Sequence, residues 1–66
     1  MTVVEMHACA VRELAMRRRV YPRWVAGGKM KQEAADHEIA AMEAIMEHFA
    51  ALLPPPAQGS FLSDAS

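Results

Sequence analysis

Between residues 22 and 28 the sequence reads PRWVAGG, and this break constrains the fold more than any other feature of the chain. Proline lacks a backbone N–H and pushes the residue before it out of the α region, so a helix arriving from the N-terminal side is expected to end near Arg19 to Tyr21. Residues 22 to 26 have the makings of one extra turn with proline at its first position, closed by Gly27-Gly28 as a left-handed C-cap. A second stop follows at Pro54-Pro55-Pro56. A chain punctuated in this way holds two helices and a bend. The expected fold is all-α, an antiparallel two-helix hairpin.

Each helix has its own signals. Thr2-Val3-Val4-Glu5 fits a capping box, with a hydroxyl followed three residues later by a carboxylate, so the first helix is placed at about 2–20. At 100° per residue Val3, Val4, His7, Ala10, Val11, Leu14 and Ala15 fall on one side of it. The second helix is placed at about 30–53. Its apolar face is Ile39, Met42, Ile45, Met46, Phe49, Leu52 and Leu53, with Asp36, Glu43 and Glu47 opposite. The hairpin domain therefore spans 1–53, and 54–66 reads as a flexible Pro-rich C-terminal tail in which Phe61 and Leu62 are the large apolar residues.

Hydrophobic residues make up 53% of the chain, yet no run of 18 apolar residues occurs, which excludes a membrane-spanning helix. The single cysteine, Cys9, forms no internal disulfide and suits a reducing, cytoplasmic setting. A core built from 66 residues usually supplies only about 3–5 kcal/mol without a staple. The apolar arc of helix 2 is also wider than one partner helix covers. Both points lead to a homo-oligomer, a dimer or higher, in which hairpins form a helical bundle.

Charge is distributed unevenly. Arg12 to Lys31 carries seven positive charges and one negative, whereas Glu33 to Glu47 carries five carboxylates and no Lys or Arg. Two charges fall on apolar sides, Arg18 on helix 1 and Glu38 on helix 2. They are expected to meet as a structural ion pair, since buried charges are normally paired.

Catalytic patterns are missing. His7, His37 and His48 lack metal-ligand spacing, and Glu33 and His37 at i and i+4 read as a helix-surface pair. The serines lie at 60, 63 and 66, so no nucleophilic triad suggests itself. The expectation is a protein that is not an enzyme and has no metal or cofactor. GGKM at 27–30 fails the phosphate-loop pattern, because Arg23 stands at the first glycine position and Met30 at the hydroxyl position.

A physical argument for anion binding remains. Arg17, Arg19, Arg23, Lys29 and Lys31 surround the bend with Tyr21 and Trp24, and a helix N-terminus follows. Guanidinium groups bind phosphate bidentately, and aromatic rings stack bases for about 1–3 kcal/mol each. These seven residues are the candidate ligand-binding set for a nucleotide or single-stranded nucleic acid. Arg18 is assigned to the fold. Tyr21 and Trp24 in such a position more often form an apolar plug that closes the open end of the hairpin.

The segment ACAVRELAMRRRVYPRWVAGGKMKQEAADHEIAAMEAI, Ala8 to Ile45, carries MRR-x-VYP-x-W followed by GKM. In this block the chain resembles short helical proteins encoded in bacteriophages and prophages of Gram-negative bacteria. The resemblance implies an accessory protein that binds and blocks something in the host cytoplasm, such as a nuclease or a defence signal. It assigns no catalytic residue. An inhibitor or adaptor on an acidic surface of a host protein is the alternative, and a purely structural oligomer is a third.

Overall fold

The computed structural model describes residues 1–54. Two helices, α1 (Val3–Ala26) and α2 (Gln32–Leu52), pack against one another across a five-residue loop, 27–31, and no strand occurs among the described residues. A groove lined by Met1 and Met6 together with Ile45 and Phe49 brings the start of α1 beside the end of α2. The pair is therefore an antiparallel hairpin. The expected tail, 54–66, lies outside the described residues apart from Pro54.

The start of α1 follows from its sequence. The Thr2 N–H donates to Glu5 Oε1 at 2.8 Å, and the Glu5 N–H donates to Thr2 Oγ1 at 3.1 Å. This capping box satisfies two N–H groups that would otherwise lack partners. The hydrogen bond from the Thr2 backbone, and then that from its hydroxyl, hold the Glu5 carboxyl below the usual carboxylate range.

The other end of α1 departs from expectation. The helix does not stop at Arg19 to Tyr21 but runs through Pro22 to Ala26. Proline's fixed φ is itself helical; the loss is one hydrogen bond, to the carbonyl of Arg18. Compensation comes from the closure that follows. Lys29 N–H donates to Trp24 O at 2.8 Å and Gly28 N–H to Val25 O at 3.1 Å, the paired 6→1 and 5→2 bonds of a Schellman motif. Only one glycine of the pair adopts the left-handed conformation: Gly28 has φ 74°, whereas Gly27 has φ −83°.

α2 begins two residues later and ends one residue earlier than expected. Lys31 occupies its N-cap position without a side-chain hydrogen bond, and its last turn holds no basic residue. Burial against α1 is what keeps it helical. The buried side chains are Ala10, Leu14, Ala35 and Met42, with Ile39, Met46 and Phe49 packed against the cluster of Ala10, Leu14 and Met42. Ala35, two turns before Met42 on the same stripe, was not among the expected core positions. Ile45, Leu52, Val4 and Val11 were, and all four are exposed. Two helices cannot enclose arcs this wide.

Candidate functional site

The expected pair of Arg18 with Glu38 is not the one that forms. Arg17 Nη1 donates to the backbone carbonyl of Glu38 at 2.8 Å and lies 3.5 Å from its carboxylate, while Arg17 Nε donates to Glu13 Oε1 at 3.0 Å. Arg18 instead meets the carboxylate of Glu43. The cause is the rotation of α1: at 100° per residue, Arg17 and Arg18 leave the helix on opposite flanks of the line through Ala10 and Leu14. Each reaches a different carboxylate of α2. Arg17 is half-buried and Arg18 exposed, so no charged residue is fully buried among the described residues.

Two of the seven cations are thereby neutralised within the fold. Arg12, Arg19, Arg23, Lys29 and Lys31 are exposed and form no ion pair among the described residues. Arg12, Arg19 and Arg23 stand seven and four residues apart, which places them within about 40° of one another on the side of α1 opposite Ala10 and Leu14. They form a ridge about 16 Å long at 1.5 Å per residue. Arg12 was not among the residues singled out from the sequence. The signal was there in its i, i+7, i+11 relation to Arg19 and Arg23, masked by the arginine run at 17–19.

The aromatic residues divide their roles. Tyr21 is half-buried, with the Arg17 guanidinium 5.9 Å from its ring centroid and the Trp24 ring stacked at 5.4 Å and 26°. Contacts to both neighbours tie it to the fold. Trp24 is 44% exposed and adjoins Arg23, so part of its indole faces solvent. Lys29 and Lys31 flank Met30 in the loop that leads into α2. Of the seven expected ligand residues, five therefore stand at the surface around one bend: Arg19, Arg23, Trp24, Lys29 and Lys31. Arg17 and Tyr21 are half-buried instead.

A separate feature lies at the other end of the hairpin. Met1, Met6, Cys9, Met42, Ile45 and Phe49 line an open groove of about 360 Å³, in which Glu13 is the one charged side chain. Cys9, a free thiol, is exposed and lies in this lining. Among the described residues no three histidine, cysteine or carboxylate side chains gather where they could hold a metal ion, and no helix is long and apolar enough to cross a membrane. Compared with protein-family models, curated proteins and solved structures, the chain shows no match.

Proposed function

We propose that this chain is a non-enzymatic binding protein whose basic bend captures a phosphate-bearing anion, with single-stranded nucleic acid favoured over a free nucleotide. One observation carries the reading: Arg19 and Arg23 stand one helical turn apart, exposed and without carboxylate partners among the described residues. Like charges at i and i+4 destabilise a helix by about 0.2–0.5 kcal/mol, and a polyanion removes that cost. With Arg12 they form a straight open ridge, a shape that suits successive phosphates of a strand. Trp24 supplies a partly free ring beside Arg23 for stacking a base. Lys29 and Lys31 add charge at the start of α2, where helix N–H groups also favour anions.

The resemblance to phage-encoded proteins supports an accessory, anti-defence role in the bacterial cytoplasm. The exposed apolar residues of α2 support self-association, as a dimer or higher oligomer.

Trp24 fluorescence tests the binding. Titration with a single-stranded oligonucleotide is expected to change the emission, with log K falling against log salt at a slope of about −2 if three arginines contact phosphates, at −0.7 per contact. R19A and R23A each flatten that slope by about 0.7. Mononucleotides and cyclic dinucleotides form the comparison arm: saturable, salt-insensitive binding of one of these moves the ligand from strand to nucleotide. No response to any of them, or an affinity unchanged in R19A and R23A, refutes the reading. Binding of an acidic protein in their place identifies an adaptor.

A further inference from the structure

The geometry points to Tyr21 as a positioning residue that holds the Trp24 indole as a platform for one nucleobase, so that the bend selects a base-bearing strand over a bare polyanion. The inference rests on the anion-binding reading above and assigns its selectivity to a side chain that acts through Trp24. Three planar groups build the platform. Arg17, Tyr21 and Trp24 follow one another at i, i+4 and i+7 on α1, which keeps them within about 60° of one another around the helix. The Arg17 guanidinium lies 5.9 Å from the Tyr21 centroid, and the Tyr21 ring stacks on Trp24 at 5.4 Å and 26°.

The stack is anchored at its inner end. Arg17 donates from Nη1 to the Glu38 carbonyl at 2.8 Å and from Nε to Glu13 Oε1 at 3.0 Å, which ties the guanidinium to both helices. The backbone of Trp24 is held as well, because its carbonyl accepts from the Lys29 N–H at 2.8 Å. Tyr21 stands between these two fixed points. A plug closing the bend would bury both rings, yet Tyr21 is half-buried while Trp24 remains 44% exposed. An indole braced by one ring and still open to water can stack a second planar group with little further loss of rotamer freedom.

The neighbours decide which planar group this is. Arg23 precedes Trp24 in the helix and Lys29 is bonded to its carbonyl; both are exposed and form no ion pair among the described residues. A ring on the indole therefore lies near cations suited to phosphate. A nucleotide unit carries both groups, whereas polyphosphate carries one.

Calorimetric titration of the full chain with two unlabelled strands tests the assignment: a short thymidine oligonucleotide, and the same backbone with every base removed. Both present the same phosphates, so the ratio of their affinities reads the base alone. Wild type is expected to bind the abasic strand about 5- to 150-fold more weakly, the effect of one stacked base, and only the thymidine strand is expected to quench Trp24. W24L and Y21L are each expected to bring the ratio close to one, and Y21F, which keeps the ring, to preserve it. Partial unfolding of Y21L lowers both affinities by the same factor and leaves the ratio unchanged. A ratio near one in wild type, with both strands bound, refutes the platform and leaves the anion reading standing. Binding of neither strand refutes that reading and the platform with it. A ratio that survives W24L refutes Trp24 as the platform, and one that survives Y21L refutes the positioning role of Tyr21.

Discussion

Replacing Arg17 by alanine removes four contacts at once. Its Nε donates to Glu13 at 3.0 Å, its Nη1 donates to the Glu38 carbonyl at 2.8 Å and lies 3.5 Å from the Glu38 carboxylate, and its guanidinium sits 5.9 Å from the Tyr21 centroid. Hydrogen bonds to charged groups contribute about 1.5–3 kcal/mol each when buried. Here the carboxylates are 37% and 47% exposed, so water replaces much of what is lost and each ion pair falls toward the 0–1 kcal/mol of surface pairs. The bond to the α2 backbone keeps more of its strength, since the Arg17 side chain is only 19% exposed. The contact with Tyr21 adds about 0.5 kcal/mol.

These terms overlap, and the expected loss is about 2 kcal/mol, or roughly 8–16 °C in melting temperature for a domain of this size. The comparison is R18A. Arg18 is 54% exposed and its partner Glu43 42%, so its removal is expected to cost under about 1 kcal/mol. Urea unfolding followed by circular dichroism, at one fixed protomer concentration, measures both. R17K is expected to retain less than half of the difference, because an ammonium cannot hold both partners in fork geometry. If R17A stays within 0.5 kcal/mol of wild type, or if R18A is the more damaging change, Arg17 does not set the register of the hairpin.

The bend offers a matched pair: G28A forces a side chain into φ 74° and is expected to cost about 1–2 kcal/mol. G27A, at φ −83° with its nearest neighbour 3.4 Å from the new Cβ, is expected to be neutral or to stabilise by up to about 1 kcal/mol; urea midpoints that rank the two the other way contradict the Schellman closure. Restoring the missing donor with P22A is expected to stabilise α1 by about 1–3 kcal/mol, and a lower melting temperature would show that the proline shapes the bend. At the N-terminus, the depressed Glu5 carboxyl gives stability that is present above its unfolded value and lost as pH falls through the folded one. E5Q is therefore expected to reduce the fall in helicity on acidification, and an unchanged acid limb in circular dichroism counts against the capping box.

How far the fold was legible depended on whether a signal was local. Thr2 and Glu5 act within one turn, so the capping box and the start of α1 could be read directly. Pro22 was misleading because its local rule concerns one lost bond, while the outcome was set by the closure at Gly28 and the stack of Tyr21 on Trp24. The ion pairs failed for a different reason. A helical wheel locates Arg17 and Arg18 on α1 but contains nothing about how α1 is rotated against α2, and 100° of rotation puts one of them in the other's place. The same gap left Ala35 out of the expected core. At the bend, clustering of the cations was visible in sequence, whereas their division into neutralised and free members required the positions of Glu13, Glu38 and Glu43. Arg12 joined the ridge only once the outward side of α1 was fixed.

The unequal ends of the two helices imply an order of folding. α1 has a reciprocal cap at its start, a basic residue in its last turn and a Schellman closure, while α2 has neither a side-chain cap nor a basic last turn. Helix nucleation is the unfavourable step, and caps lower it. The first helix is thus equipped to form by itself, and the second to form on its surface. In kinetic terms, substitutions in the first turns of α1 should slow folding, whereas those late in α2, at Phe49 for example, should chiefly speed unfolding. Chevron measurements on T2A and F49A distinguish that polarity from concerted formation of both helices.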